Sequence, residues 1–312
     1  MQTRKLGRSG IEIAPIMFGG NVFGWTADPA MSFRLLDAFT DAGFNAIDTA
    51  DIYSAWAPGH VGGESETVLG AWLKQSGKRD KVVVATKVGF LAPNNGLSAA
   101  QIAGAVEASL KRLQTDYIDL YQAHNDLADT PLDETLQAFE RLIQAGKVRA
   151  VGASNYEAPR LQAALDEAEK PGRARYQSLQ PLYNLMERGF ERELQPLCVA
   201  EDVGVIPYYS LAAGFLSGKY RSEADLGQSP RGGGLKKYLN DKGFAVLKAL
   251  DQVAQAHSAT PAEAAVAWVL AQPGITAAIA SATKPEQLEA LIKAASLTLT
   301  AEDLQALDQA SA

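Results

Sequence analysis

Cysteine occurs once in this chain, at Cys198, so no internal disulfide can hold it together. Histidine is nearly as scarce, with three in 312 residues, and no Cys/His cluster has the spacing of a zinc site. No apolar run approaches the length of a membrane span, and the opening MQTRKLGRSG carries no apolar core behind its basic residues. Basic residues are outnumbered, 29 against 36 acidic, for a net charge of −7. That balance argues against a nucleic-acid or acidic-membrane partner. No Pro/Ser-rich linker divides the chain. The expectation is one domain over residues 1–312, cytoplasmic, without a nucleic-acid or membrane partner, and a monomer or small homo-oligomer.

What the chain does have is alternation. Short apolar segments (PIMFGG, NAIDTA, KVVVATKVGF, DYIDLYQAH, KVRAVGASN, YQSLQPLYN, VIPYYS, ITAAIASA) read as eight strands, and amphipathic helical segments separate them. PLDETLQAFERLIQAG shows the helix signals well, with Pro131 near its start and Gly146 just past its end. Strict alternation predicts a parallel sheet covered by helices, and the length suits a closed (β/α)8 barrel. A doubly wound open sheet is the rival, weakened because no G-x-G-x-x-G opens a helix after the first strand. Ser222 to Tyr238, with three consecutive glycines after Arg231, is expected to be a mobile loop.

In such a barrel the reactive groups sit at the C-terminal ends of the strands. There the sequence places Asp48 with Tyr53 beyond it, Lys87, His124, Ser154 with Asn155, Gln177, and Tyr209 with Ser210. Each alone has a plain structural reading, as a solvated strand end, a core histidine or a packed tyrosine. Asp48 is the exception, because a carboxylate closing an apolar strand needs a partner. If Asp48 and Lys87 meet in one mouth they form an ion pair. The ammonium beside the Tyr53 hydroxyl is then expected to lower a phenol pKa that starts near 10. A tyrosine so placed can give a proton to a carbonyl oxygen, and His124 can orient and polarise that oxygen. None of these residues is an obvious nucleophile toward the carbon, so a cofactor hydride is the natural complement.

At this point the sequence resembles the aldo-keto reductase superfamily. Asp48, Tyr53, Lys87 and His124 match the family's catalytic tetrad, inside IDTADIYS, GESETVLGAWL, SLKRLQTDYIDLYQAH, PLDETLQAFERLIQAGKVRAVGASN and YYSLAAGFLSGKY. The resemblance spans essentially the whole chain. It implies an α/β fold, a (β/α)8 TIM barrel with a short N-terminal β-hairpin and extra helices. It implies NADP(H), preferred over NAD(H), and hydride transfer to a small carbonyl substrate, with Tyr53 as general acid. For the cofactor it implies Gly20 and Asn21 beside Asp48, the amide-binding set Ser154, Asn155 and Gln177, and Tyr209 stacked on the nicotinamide. Ser210, Leu211, Gly214 and Lys219 would line the pyrophosphate, and Thr283, Lys284 and Gln287 the 2′-phosphate end.

Three positions depart from the family pattern. Ala290 and Leu291 stand where Glu and Asn often bond adenine, and Leu211 stands where proline is common. Trp56 is either a substrate wall, with Tyr53 and His124, or packing for its own loop's helix; His60 reads as a solvated loop residue. Two other functions remain open on these residues. One is a slow or non-catalytic redox sensor associated with a channel. The other is a lyase that uses Lys87 as an imine former.

Overall fold

The computed structural model describes residues 2–127 and 129–312. Two short strands, β1 (Arg4–Lys5) and β2 (Glu12–Ile13), pair antiparallel as an N-terminal hairpin. Eight more form one parallel sheet: β3 (Ile16–Gly19), β4 (Ala46–Asp48), β5 (Val83–Val88), β6 (Ile118–Ala123), β7 (Val148–Ser154), β8 (Tyr176–Gln180), β9 (Gly204–Val205) and β10 (Ala278–Ala280). Their spatial order is β10-β3-β4-β5-β6-β7-β8-β9, so each neighbours its successor. The two ends meet through a parallel bridge from Val205 to Ile275 and an Ile279 N–H donated to Pro207 O at 3.0 Å. This is the (β/α)8 barrel, and the sequential order excludes the doubly wound rival.

Among the described residues ten α-helices accompany the strands: α1 (Pro29–Asp41), α2 (Glu64–Ser76), α3 (Ala99–Leu113), α4 (Leu132–Gln144), α5 (Ala158–Ala168), α6 (Leu194–Ala200), α7 (Asp241–Ala256), α8 (Pro261–Ala271), α9 (Pro285–Ala294) and α10 (Ala301–Ala310). Their starts are written locally. Asp28 accepts from the Met31 N–H ahead of Pro29, and capping boxes open α3 (Ser98, Gln101) and α8 (Thr260, Glu263).

The two-residue period of the strands sorts side chains into two cores. Met17, Ala46, Val83, Ala85, Leu120 and Ala150 point into the barrel, where Leu6, Ile11 and Ile13 of the hairpin region pack against them. Phe18, Ile47, Val84, Val88, Tyr121 and Val151 point out to the helices. One step further along the inward rows come Asp48, Lys87 and Gln122. The interior is therefore apolar at the hairpin end and polar at the opposite mouth. Crowding there explains Gly152, whose added Cβ would lie 2.2 Å from Ser178 Oγ.

Two segments differ in detail from the sequence pattern. VIPYYS is regular strand only at its start: β9 ends at Val205, a single parallel bridge from Tyr208 to Leu182 continues the pairing past Pro207, and the chain then turns at Tyr209, φ 57. The Ser222–Tyr238 segment, expected to be a loop, carries local structure of its own. It folds as two 3-10 turns, Glu223–Gln228 and Gly232–Tyr238, the first closed by a Ser222–Asp225 capping box. Gly232 is needed for contact rather than looseness, since a Cβ there would meet Leu226 O at 1.7 Å.

Candidate active site

β4 ends on Asp48 and β5 carries Lys87 one inward position above Ala85, the register partner of Asp48. Both side chains are buried. Lys87 Nζ donates to Asp48 Oδ1 and Oδ2 at 2.7 and 2.8 Å, to Thr49 O at 2.9 Å and to the Tyr53 hydroxyl oxygen at 2.9 Å. Tyr53 in turn donates to Asp48 Oδ2 at 3.3 Å. A buried ammonium with a chelating carboxylate and two further acceptors satisfies the geometry that makes such a pair tolerable. Burial pulls the Lys87 ammonium below its ordinary value, with Asp48 opposing.

The effect on Tyr53 differs from the sequence expectation. Burial first, then the Asp48 carboxylate, push its phenol well above 10.0. The net shift is upward even though the Lys87 ammonium donates to the phenol oxygen. Tyr53 is therefore a neutral phenol throughout the ordinary pH range, a proton donor whose oxygen already accepts a charged N–H.

His124 follows β6, its N–H donated to Val88 O at 2.9 Å. Its ring meets that of Tyr53 edge-on at 5.9 Å and lies 4.8 Å from Phe90. Burial, reinforced by the Lys87 charge, pushes its pKa well below 6.5, so the imidazole is neutral at pH 7.

These groups floor a cavity of about 690 Å³. Among the residues named from sequence, it is lined by Asn21, Asp48, Tyr53, Trp56, His124, Ser154, Asn155, Tyr209, Leu211, Gly214, Lys219, Thr283 and Gln287, with Ala290 and Leu291 at the same end as Gln287. Trp56 faces the cavity rather than packing on its own loop's helix. It lies 5.6 Å from Trp25 and 6.0 Å from Tyr53, and its surface is 49% exposed. His60 bonds Ser54 O at 3.2 Å instead.

Five residues named from sequence stand elsewhere. Lys87 is buried behind Tyr53 and Asp48. Gly20 is backbone behind the wall, its Cβ position 2.7 Å from Asp48 O. Ser210 is buried and donates to Ile279 O at 3.0 Å, tying the chain after β9 to β10. Lys284 is the exposed N-cap residue of α9. Gln177 lies toward the hairpin end of β8, where its side chain accepts from the Arg8 N–H and donates to Arg175 O. The amide at the mouth is Gln180, three residues on, which donates to Asp48 Oδ1 at 2.9 Å and lines the cavity. Arg231 also lines the cavity, unforeseen from the sequence.

The polar wall is tied together. Asn155 donates to His124 O at 3.0 Å and accepts from the Tyr208 hydroxyl at 2.8 Å. Tyr209 holds φ 57, uncommon for a residue with a side chain, and its ring is 48% exposed at the cavity.

A profile of the Aldo/keto reductase family matches residues 15–312. An "Uncharacterized oxidoreductase YrpG" of Bacillus subtilis is 36% identical over 99% of this chain and 95% of its own length. "Aldo-keto reductase YhdN" of the same organism is 36% identical over 97% of this chain and 91% of its own. A Schizosaccharomyces pombe protein named provisionally as a voltage-gated potassium channel subunit beta is 33% identical, covering 98% and 92%. Among the described residues no helix is long and apolar enough to cross a membrane. The barrel, the buried Lys87–Asp48–Tyr53 arrangement at its mouth and these matches agree: the chain belongs to the aldo/keto reductase family.

Proposed function

We propose that this protein reduces aldehydes or ketones to alcohols with NADP(H), Tyr53 serving as general acid. The observation that carries the reading is the hydrogen bond from Lys87 Nζ to the Tyr53 oxygen at the cavity floor. A bound nicotinamide supplies the hydride to the carbonyl carbon. Tyr53 gives its phenolic proton to the carbonyl oxygen. The phenolate so formed meets an ammonium N–H already in place, and that charge-assisted bond is stronger in the product of the transfer than before it. Asp48 keeps Lys87 charged and aimed. Neutral His124 donates an N–H toward the same carbonyl oxygen. In alcohol oxidation Tyr53 takes the proton back.

Several features support a nicotinamide seat here. Tyr209 keeps a strained backbone while leaving its ring face open to the cavity, which suits stacking on a flat ring. Gln180 has its amide nitrogen fixed on Asp48, leaving its oxygen to accept from a carboxamide together with Ser154 and Asn155. Asn21 accepts from Ser281 at the adjoining wall. Leu211, Gly214 and Lys219 take the pyrophosphate. Thr283, Lys284 and Gln287 take the 2′-phosphate, giving the preference for NADP(H) over NAD(H), and Ala290 and Leu291 pack on adenine. We place the activity in the cytoplasm, in a single unit over residues 1–312.

The imine-forming alternative fits less well, because every N–H of Lys87 is committed and the residue is buried behind Tyr53. The potassium channel relative keeps a sensor reading in view, which requires tight NADPH retention without turnover. Fluorescence titration with NADPH and NADH, followed by absorbance decay with a panel of aldehydes, tests the proposal. NADPH binding with turnover is expected; no binding of either nucleotide overturns it, and binding without turnover favours the sensor.

A further inference from the structure

The carboxylate of Asp48 is shared between two parts of the site. Its Oδ2 takes the Tyr53 hydroxyl at 3.3 Å and its Oδ1 takes the side-chain amide of Gln180 at 2.9 Å, with Lys87 Nζ on both oxygens. β4 and β8, which carry Asp48 and Gln180, stand four strands apart in either direction round the barrel, so this bond crosses the bore. Small residues leave the room. In one register row Lys87 pairs with Gln122, Gln122 with Gly152 and Gly152 with Ser178. A Cβ on Gly152 would lie 3.2 Å from Gln122 Cγ. Gln122 is buried beneath the mouth, its Oε1 3.5 Å from Gln180 Nε2. The amide nitrogen of Gln180 thus faces two acceptors, and its oxygen is left to the cavity that the residue lines.

An N–H given to a buried carboxylate draws charge from it and fixes its rotamer. After burial, Asp48 is what most opposes proton release by Tyr53. A stronger bond from Gln180 therefore eases the task of the acid. The two ends of an amide are conjugated, so one whose oxygen accepts a hydrogen bond becomes a better N–H donor. The other titratable or charged groups about the phenol are Lys87 from β5, His124 after β6, Tyr208 and Tyr209 after β9, and Arg231. Asp51 and Glu66 act on Lys87 from behind.

We infer that Gln180 is a positioning residue for the proton donor: through Asp48 it couples the seat of the nicotinamide carboxamide to Tyr53, so that an N–H received by its oxygen loosens the hold of Asp48 on the phenol. The inference rests on the reductase reading for its consequence in turnover. The coupling itself rests on the Asp48–Gln180 bond, which needs no cofactor.

The test uses Gln180→Met, which keeps the bulk and removes both ends of the amide, and Gln180→Glu. At saturating NADPH, Gln180→Met is expected to lower kcat about tenfold or more. It is also expected to weaken NADPH while leaving 2′-phospho-ADP-ribose, which lacks the nicotinamide, within about twofold. In Gln180→Glu a neutral carboxyl still donates to Asp48, whereas a carboxylate repels it. The ratio of its kcat to that of the wild type is therefore expected to be highest near about pH 6 and to fall roughly tenfold by about pH 8. An unchanged kcat with weaker NADPH would leave Gln180 a cofactor ligand only and overturn the inference. So would a pH-independent ratio for Gln180→Glu, or equal losses for NADPH and the fragment, which mark a general collapse of the seat. If the wild type binds no nucleotide or turns over no aldehyde, the reductase reading fails and urea denaturation decides the coupling. Losses from Gln180→Met and Asp48→Asn that fall short of adding in the double variant sustain it, and additive losses overturn it.

Discussion

Lys87 grips both carboxylate oxygens of Asp48, at 2.7 and 2.8 Å, where neither side chain meets water. The pair is set by register. The inward row of β5 puts Lys87 one position above the level of Asp48 on β4, and four methylenes let the ammonium reach back across. Removing either partner strands a buried charge. Lys87→Met or Asp48→Asn alone is expected to cost about 3–5 kcal/mol in urea denaturation. The double variant is expected to lose clearly less than the sum; additive losses would mean the two charges are not coupled.

Behind this pair, Asp51 is buried and neither of its oxygens finds a hydrogen bond. Burial first, then the charge of Glu66, raise its pKa from 3.8 to about 7, against weaker pulls from the Leu91 and Ile52 amides and Arg112. Between those two values the folded protein binds more protons than the unfolded chain. The contribution of Asp51 to stability is therefore expected to fall as pH rises through that window and to level off above about 7, against an opposite contribution from His124 below about 6.5. Asp51→Asn should remove that contribution and exceed the wild type at pH 8 by a few kcal/mol. Parallel thermal-unfolding profiles for the two proteins across pH 4 to 8 would count against it.

Gln180 and Gln177 are separated by the geometry of one strand. Gln180 ends β8 at the mouth, on the inward row with Ser178, whereas Gln177 faces the Arg8 and Arg175 backbone near the hairpin. Gln180→Ala is expected to weaken NADPH binding about tenfold or more by fluorescence titration, since a buried amide left unpaired carries its full desolvation cost. Gln177→Ala should change it less than about twofold. The reverse ranking would contradict the assignment of the carboxamide seat.

That pair also marks where the sequence is legible. The strands, the helices and the four groups Asp48, Tyr53, Lys87 and His124 could be read because each rests on local pattern, on a two-residue or helical period and on a strand end. Gln177 and Gln180 are both amides in one short strand, and only their row and the strand's end separate them. Pro181, directly after β8, is the available signal of the strand's end. The direction of the Tyr53 shift is not readable in the sequence, because it depends first on how completely the fold buries the phenol and then on how close Asp48 lies to it. Arg231 was hidden for a different reason. It arrives from a segment that looks like a glycine loop, and only tertiary packing of Gly232 on Leu226 and of Tyr238 on Glu187 brings it to the wall.

The most direct test of the account is a comparison of Tyr53→Phe with the wild type, by NADPH fluorescence titration and by NADPH oxidation with several aldehydes. The substitution removes only the phenolic oxygen at the cavity floor. NADPH affinity is expected to stay within about threefold, while turnover falls by roughly 10²–10⁴. Near-normal turnover across the aldehydes would contradict Tyr53 as the acid, whatever its distance from Lys87.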